Sequence, residues 1–543
     1  MTMKKALLLM ALAATLAAPA AQRTIHVRAR YLNFPISHSV ERQRLTFSAK
    51  GTDELSMVAR LTAGVPEYWT FKDMSAYRGK TLTLTWDGAP EALDAIQEAD
   101  TIVGAHSMYK EENRPQFHFT TRRGWINDPN GLLYHNGTYH LYYQHNPMER
   151  EWENMTWGHA TSTDLLHWTE QPTALHPDQL GTMFSGSAIF DPQNTSGFGT
   201  KRNPPIVYAY TAEGKHQTQC IAYSLDGGMT LQKYDANPVI DSNERWHSHD
   251  TRDPRLLWYA PGNHWSMVLN ERDGHSIYTS PDLRQWTFQS HTRGFWECPD
   301  LFELPVDGRP DDTRWVMLGA SNTYMLGRFD GKKFTPEGTK HRFTTGTIYA
   351  AQTVTGMTDG RRVQIGWGRV DHAGMPFNGM MLLPTELQLV TTVDGIRLRS
   401  FPIREVETLL TPLLQRPETL SAQQANDLLA PLALQDAFHL HFTLHQTYST
   451  SAGIALNGQN LLDSDMNSNL VNGQFYSQQN PTQMALEVDI YVDRTSVEVF
   501  IDHGLYSYSL QRSHPRNAEG LRFWGTDVEV ADLRADRVKS VWE

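Results

Sequence analysis

The chain has 543 residues, more than one hydrophobic core usually organises, which predicts two or three domains. Hydrophobic residues make up 40% and charged residues 20%, a balance typical of globular proteins and not of disordered chains. The formal net charge is −12, and no long run of Lys or Arg occurs. An acidic surface argues against nucleic acid as a partner and is compatible with a neutral substrate.

The N-terminus has the pattern of an export signal. Lys4 and Lys5 precede an apolar run over residues 6–18, and the small residues Ala20 and Ala21 follow. The run is shorter than the roughly 20 apolar residues that span a bilayer. We therefore predict a signal peptide over residues 1–21, a periplasmic or secreted mature protein, and no membrane insertion.

Short alternating runs between turn signals dominate the chain, so we predict an all-β fold. Residues 24–105 contain alternating stretches such as 45–49 and 81–86, which indicate a small N-terminal β-sandwich. Residues 89–100 are rich in Ala, Glu and Asp and favour a short connecting helix.

The middle region, residues 113–405, contains an internal repeat. Residues 162–168 match residues 280–286 at Ser, Asp, Leu and Trp, and residues 224–228 and 329–334 are looser versions. Recurrence of one hairpin type is typical of a β-propeller, whose blades repeat one antiparallel unit around an axis. Such a fold brings carboxylates from distant strands to one central funnel.

Residues 434–543 alternate between apolar and polar side chains and predict a C-terminal β-sandwich. Between the regions, residues 406–433 are predicted to form a linker with one or two helices. His439, His441 and His445 share one strand face. We interpret them as an exposed polar face and not a metal site, because no carboxylate or Cys cluster accompanies them in the sequence. No metal and no cofactor are expected.

The most distinctive motif is Trp125-Ile-Asn-Asp-Pro-Asn-Gly131. Pro129 biases Asp128 towards an extended backbone, and Asn130-Gly131 then turns the chain sharply. This presents the Asp128 carboxylate at a strand end. Hydrolysis of a glycosidic bond with retention needs two carboxyl groups about 5–5.5 Å apart, one as nucleophile and one as proton donor.

The heptad resembles the nucleophile motif of glycoside hydrolase family 32, the family of invertases, inulinases and levanases. Motifs that resemble others of the family follow in the family's order: Tyr142-Tyr-Gln-His-Asn-Pro147, Trp152, Met155-Thr-Trp-Gly-His-Ala160, Phe184-Ser-Gly-Ser187, Arg252-Asp-Pro254, Trp296-Glu-Cys-Pro-Asp-Leu-Phe302 and Tyr349-Ala-Ala-Gln352. The resemblance implies a five-bladed β-propeller catalytic domain. It also implies a carbohydrate substrate, either a fructan of levan or inulin type or sucrose.

The resemblance also implies residue roles. Asp128 is the expected nucleophile that forms a covalent fructosyl-enzyme, Glu297 the general acid and base, and Asp253 the stabiliser of the oxocarbenium-like transition state. The expected substrate-binding residues line the fructose subsite: Asn127, Gln144, Trp152, Phe184, Ser185 and Arg252.

The segment 374–387 departs from the family pattern of an Arg and a Trp before the Leu-Pro-X-Glu-Leu motif. It resembles that of bacterial fructan degraders with an extra N-terminal sandwich, which favours an exo-acting enzyme that releases terminal fructose. A sucrose-specific invertase and a non-catalytic fructan-binding protein are the alternatives. Cys220 and Cys298 are weak evidence for a disulfide, and Cys298 is either part of the site or a small core residue.

Overall fold

The computed structural model describes residues 20–52, 54–432, 434, 436–446, 451–476, 485–513 and 520–542. Residues 1–19 of the predicted signal peptide lie outside this range. Strands dominate the described residues, as the alternating pattern predicts. None of the helices in this range is long and apolar enough to cross a membrane.

Two antiparallel sheets form the first region and enclose one hydrophobic core that includes Phe34, Phe47 and Trp86. The elements are β1 Ala21–His26, β2 Tyr31–Ile36, β3 Gln43–Ala49, β4 Leu55–Ala59, β5 Tyr68–Asp73, β6 Thr81–Trp86, α1 Pro90–Asp94 and β7 Gln97–Ala99. One sheet has the order β1-β6-β3-β4 and the other β5-β2-β7. The predicted connecting helix is the short α1, and the strand β7 follows it.

Successive sheets built mainly from antiparallel pairs make up the middle region. Its elements are β8 Gly124–His135, β9 Thr138–Asn146, β10 Thr156–Ser162, β11 Thr169–Leu175, β12 Thr182–Phe190, β13 Ile206–Glu213, β14 Gln217–Ser224, β15 Gln232–Lys233, α2 Asn243–Trp246, β16 Thr251–Tyr259, β17 His264–Glu271, β18 Gly274–Ser280, β19 Thr287–Arg293, β20 Asp300–Val306, β21 Arg309–Leu318, β22 Thr323–Phe329, β23 Phe334–Pro336, β24 His341–Arg342, β25 Thr344–Gly346, β26 Ile348–Thr353, β27 Val363–Gly368, β28 Phe377–Asn378, β29 Met380–Met381, β30 Thr385–Thr392 and β31 Gly395–Pro402.

Strands β8–β11 form one sheet to which the short β28 is added, and β12–β15 and β16–β19 form one sheet each in sequence order. Strands β20–β23 pair in sequence order within a larger ten-stranded sheet that also contains β26, β27, β30 and β31, because β20 pairs in parallel with β30. The first strands of neighbouring sheets contact each other: β8 contacts β12, and β12 contacts β16. β26 contacts β8 as well, so the series of sheets returns to its beginning.

The sequence repeat forms the turn between the third and fourth strands of these sheets. In two of them a Trp indole donates to the backbone oxygen of the repeat's Leu, Trp168 to Leu165 at 2.9 Å and Trp286 to Leu283 at 3.1 Å. Both Leu residues have a positive φ, 69° and 60°. The repeated hairpin predicted from the sequence is therefore confirmed, and it occupies equivalent places in separate sheets.

The last region packs two sheets over a second large core. Its elements are β32 Leu410–Arg416, β33 Leu420–Ser421, α3 Ala422–Leu429, β34 Phe438–Gln446, β35 Ala452–Leu456, β36 Gln459–Asp465, β37 Leu470–Val471, β38 Gln474–Phe475, β39 Ala485–Val492, β40 Ser496–Ile501, β41 Tyr506–Gln511, β42 Arg522–Gly525 and β43 Val528–Val538. The segment predicted as a linker contains the expected helix α3. It also contains β32, which pairs with β43 at the edge of the larger sheet.

His439 does not lie on an exposed face, which corrects the interpretation made from alternation. Its side chain is buried between two carboxylates, with Nδ1 2.9 Å from Asp536 and Nε2 2.9 Å from Asp489. Burial would lower the pKa of His439, but the hydrogen bonds that the ring donates to these carboxylates raise it. β39 and β43, which supply the two Asp residues, flank β34 in the sheet, and the sequence pattern of one strand does not reveal its neighbours.

A buried histidine joins the middle and last regions. His118 lies before β8, with Nδ1 2.8 Å from Asp493 and Nε2 2.6 Å from Glu498. Burial alone would lower the pKa of His118, but the two carboxylates raise it to about 9. The protonated imidazolium therefore links the strand that carries Asp128 to the C-terminal sheet.

Candidate active site

Strands β8, β12, β16 and β26 share one irregularity, a register shift at the residues that the sequence singles out. The shifts fall between Ile126 and Pro129, between Phe184 and Gly186, between Arg252 and Arg255, and between Tyr349 and Gln352. A β-bulge bends a strand and changes the direction of its side chains. The bulges let neighbouring strands direct polar residues towards one cluster of carboxyl groups.

Asp128 lies on a bulge within β8 and is half-buried, so the expected position at a strand end is wrong, because β8 continues through the Asn130-Gly131 pair to His135. Ser185 Oγ donates to its Oδ2 at 2.7 Å, and Asn127 Nδ2 donates to its Oδ1 at 3.0 Å. Burial raises the pKa of Asp128, while these two hydrogen bonds oppose the rise because they favour the charged form. Both oxygens of the carboxylate are thus oriented by neighbours that stabilise its charge.

Asp253 lies on the bulge of β16, is only 7% exposed, and has a φ of +66°. Its backbone N–H donates to Thr211 Oγ1 at 3.0 Å, and its Oδ2 accepts from the Cys298 N–H at 2.9 Å. Burial is the main reason why the pKa of Asp253 rises to about 7. The negative charges of Asp128 and Glu297 raise it further, whereas the positive charge of Arg252 lowers it. The left-handed backbone is uncommon for a residue other than Gly and marks this position as constrained.

Glu297 lies in the loop before β20, and it too has a positive φ, +50°. Its Oε1 accepts from Arg252 Nη2 at 2.8 Å and from Nε at 3.2 Å. Its Oε2 accepts from the Tyr349 hydroxyl at 2.5 Å. The Glu297 backbone N–H donates to the buried Asn270 at 2.8 Å, so both the side chain and the backbone are held.

Cys298 connects the carboxyl groups. Its Sγ lies 3.5 Å from Asp128 Oδ2 and 3.5 Å from Asp253 Oδ2. The distance between these two carboxylate oxygens therefore cannot exceed the sum of the two contacts. Burial, with the neighbouring carboxylates, raises the pKa of the Cys298 thiol well above its usual value, so it remains a neutral S–H donor. The structure thus places Cys298 in the site and not in a hydrophobic core. Neither Cys298 nor Cys220 forms a disulfide.

Trp152 and Phe184 form an aromatic edge at the cavity. Their rings meet edge-on with centroids 6.1 Å apart, and Trp152 is 49% exposed. Phe184 precedes Ser185, which binds the Asp128 carboxylate. The exposed ring therefore lies beside the carboxyl cluster, where a sugar C–H face can pack on it.

Gln144 lies one strand away from Asp128 and reaches it through other residues. Asn130 is the link between the two. When the Asn130 amide oxygen faces Gln144, it accepts from Gln144 Nε2 at 3.0 Å, and the Asn130 amide nitrogen donates to Ser185 Oγ at 3.2 Å. Ser185 in turn donates to Asp128. Gln144, buried on β9, thus acts as a support of this network.

Arg252 binds more groups than the sequence indicated. Besides Glu297, its guanidinium donates to Asp250 at 2.8 Å and to Gln217 at 3.1 Å, and it stacks over the exposed Trp296 ring at 5.0 Å. Tyr349 lies in one of the motifs that resemble the family, but its sequence context does not predict a contact with Glu297. Its hydroxyl contact with Glu297 depends on the bulge in β26, which a single sequence does not show.

Below the carboxyl groups, three buried residues cross-link three inner strands; we call Arg255, Asp300 and Thr353 the floor cluster. Arg255 Nε lies 3.0 Å from Asp300 Oδ1, and its Nη1 donates to the Thr353 carbonyl at 3.0 Å. The Thr353 N–H donates to Asp300 Oδ2 at 2.8 Å. β16, β20 and β26 are therefore fixed together one layer beneath Asp253 and Cys298.

The raised pKa of Asp253 predicts a pH-dependent stability gain for Asp253→Asn. Between the ordinary Asp value of 3.8 and about 7, the unfolded chain loses this proton while the folded protein keeps it. The carboxyl therefore destabilises the fold increasingly as pH rises to about 7. Asn carries no charge, so the variant gains on the order of 4 kcal/mol at most at pH 8 and little at pH 4.

Urea unfolding at pH 4 and pH 8 measures this gain, with the exposed Asp311→Asn as the control. Equal stability changes at the two pH values would show that Asp253 ionises normally in the folded protein.

Comparison with known proteins places this cavity in a family. Residues 118–402 match the model described as the glycosyl hydrolases family 32 N-terminal domain. The chain is 34% identical over 517 residues to a levanase of Bacillus subtilis (strain 168), covering 85% of this chain and 74% of that protein. It is 33% identical over 521 residues to an extracellular exo-inulinase of Aspergillus niger, covering 81% of this chain and 97% of that protein.

A solved structure agrees with these sequence relatives. The crystal structure of exo-inulinase from Aspergillus awamori superposes with a TM-score of 0.68 at 29% identity, over 80% of this chain and 100% of that one. The chain therefore belongs to glycoside hydrolase family 32 and is a β-fructofuranosidase-type glycoside hydrolase.

Proposed function

We propose that this protein is a retaining, exo-acting β-fructosidase that releases terminal fructose from levan- or inulin-type fructans and from sucrose. The convergence of Asp128, Asp253 and Glu297 on Cys298 and Arg252 carries this proposal. A proton donor beside a nucleophile is what hydrolysis needs, and a binding protein has no use for one. The relatives named above as a levanase and an exo-inulinase support fructans as the substrates.

The proposed reaction has two steps. Asp128 attacks C2 of the terminal fructose while Glu297 gives its proton to the departing glycosidic oxygen. A covalent fructosyl-enzyme results, and Glu297, now a carboxylate, takes a proton from the water that replaces Asp128. Retention of configuration follows from the two displacements.

The surrounding groups have distinct roles in these steps. Ser185 and Asn127 aim the Asp128 carboxylate and stabilise its charge before attack. Arg252 and Tyr349 hold one Glu297 oxygen each, which fixes the direction of proton transfer. Asp253 binds sugar hydroxyl groups and stabilises the positive charge that develops on the ring.

The floor cluster supports the exo action. Arg255, Asp300 and Thr353 are all buried and bonded to each other, and Arg255 and Asp300 each come two residues after a residue of the carboxyl site, Asp253 and Cys298. In this proposal they close the base of the site, so that a substrate enters from one side only. A chain end fits a cavity closed at its base, whereas the middle of a polymer needs a groove open at both ends.

We also propose that the sheets surrounding this floor are the five blades of a propeller. Contacts of β8 with both β12 and β26 support a closed ring of five, as do the equivalent turns in separate sheets. The predicted domain boundaries at 24–105, 113–405 and 434–543 belong to the same proposal.

Export is part of the proposed function, because polymeric fructans do not enter cells readily. The apolar run at 6–18 supports it, and the matched exo-inulinases are named as extracellular.

Replacing the proton donor is expected to affect substrates unequally. Glu297→Ala should lower turnover on sucrose by about 10²–10⁴-fold, because its leaving group needs protonation. An aryl fructoside with an acidic leaving group departs without a proton and should lose much less. Steady-state kinetics on both substrates measures the difference, with the exposed Glu303→Ala as the control. Equal losses on both substrates would point to a different proton donor.

The products of early digestion test the exo action. Because the floor cluster closes the cavity, levan and inulin should release free fructose from the first time points while the polymer shortens slowly. Chromatography of samples taken at low conversion separates the two modes. A ladder of oligosaccharides appearing before free fructose would contradict exo action.

A further inference from the structure

The segment between β9 and β10 carries Trp152 and lies on the N-terminal sandwich. Met148 of this segment is buried in the core of that sandwich. The Met148 carbonyl accepts from Thr70 Oγ1 at 3.1 Å, and the Arg150 N–H donates to the Tyr68 hydroxyl at 3.2 Å. We call residues 146–155 the rim segment. Its backbone is thus bonded to a part of the chain that contains none of the three catalytic carboxyl groups.

A charged cluster fixes the middle of the rim segment. The fully buried Glu149 carboxylate accepts from Arg42 Nε at 2.8 Å and from Arg60 Nη1 at 2.7 Å. Glu151 accepts from the same two guanidinium groups at 2.8 and 2.9 Å. A buried carboxylate is tolerated only when it is paired, so the two Arg residues determine where this part of the rim segment lies.

Asn154 fixes the other end of the rim segment. Its side chain accepts from the Val58 N–H and donates to the Val58 carbonyl, each at 2.8 Å. Val58 lies on β4, the edge strand of its sheet, so the Asn154 amide pairs with this edge as a neighbouring strand does. Asn154 has a φ of +49°, which turns the chain immediately after Trp152.

Trp152 therefore lies between two anchored points, Glu151 and Asn154. Its ring is half exposed and makes an edge contact with Phe184. The position of the rim segment therefore contributes to the orientation of this ring. The opposite side of the rim segment is held as well, since Arg150 Nη1 donates to the Met375 carbonyl at 3.1 Å. This places residue 375, in the segment that departs from the family pattern, next to the rim segment.

We propose that Arg42 and Arg60 of the N-terminal sandwich are positioning residues for the active site. Through Glu149 and Glu151 they hold the rim segment so that the Trp152 ring faces the sugar. The N-terminal sandwich thereby determines how tightly the substrate binds, although it contributes no catalytic group. This inference rests on the proposed function of Trp152 as a wall of the sugar subsite.

The first test is Arg60→Met, which leaves Glu149 paired with Arg42 and so preserves the fold. A misplaced aromatic wall weakens substrate and transition state alike, so KM should rise roughly three- to tenfold while kcat changes less than about twofold. Arg60→Lys should restore part of the affinity. The matched control is Arg30→Met, which removes an exposed ion pair with Asp73 in the same sandwich and should leave KM unchanged.

A second variant tests the other anchor. Asn154→Gly permits the positive φ but removes both bonds to Val58, and it should raise KM by a similar factor. Thermal unfolding of each variant reports any general loss of stability. If Arg60→Met and Asn154→Gly lowered the melting temperature but left KM unchanged, the two anchors would be structural only and the inference would be wrong.

The decisive comparison repeats Arg60→Met in a Trp152→Ala background. If Arg60 acts through Trp152, the Arg60→Met substitution should raise KM when Trp152 is present and should not raise it further in the Trp152→Ala variant. An equal rise in both backgrounds would overturn the inference while leaving the proposed subsite intact. If Trp152→Ala alone left KM unchanged, the proposed role of Trp152 would fail, and the inference with it.

Discussion

Three carboxyl groups lie close together in one partly buried site, and the cost of burying their charge, increased by their mutual repulsion, is the constraint around which the site is built. Asp128 and Asp253 each have a raised pKa, chiefly because burial disfavours their charge. Donors surround the cluster: the Ser185 hydroxyl, the Cys298 N–H and the Arg252 guanidinium. These donors offset part of the cost of holding the three carboxyl groups close together in a partly buried site.

Holding these groups in place requires a strained backbone. Asp253, Glu297, Cys298 and Ala350 all have positive φ angles, which cost residues with a Cβ about 1–2 kcal/mol each. The bulges in the inner strands interrupt the regular hydrogen-bond ladder of the sheets and are a further local cost. Contacts elsewhere in the protein offset this strain. The floor cluster holds the inner strands β16, β20 and β26 together, and His118, just before the strand of Asp128, is bonded to the C-terminal sheet.

The motifs around Asp128, Asp253 and Glu297 were sufficient to predict that these three residues lie close together, because each motif combines rare residue types in a fixed order. Other contacts could not be predicted from the chain. The bond between Tyr349 and Glu297 depends on a bulge, and His439 is buried by carboxylates from two other strands. The alternating pattern likewise predicts the C-terminal sandwich. It does not reveal that β32, in the segment predicted as a linker, pairs with β43 at the edge of one of its sheets. Strand neighbours are set by tertiary packing, which local patterns do not encode.

Whether Asp128 is the nucleophile is tested most directly by trapping the covalent intermediate. Incubating Glu297→Ala with an activated fructoside should let the first step proceed and slow the second, so that a fructosyl-enzyme accumulates. Peptide mass analysis should then find the fructosyl group on Asp128. A label on Asp253, or inverted product without any label, would contradict the account.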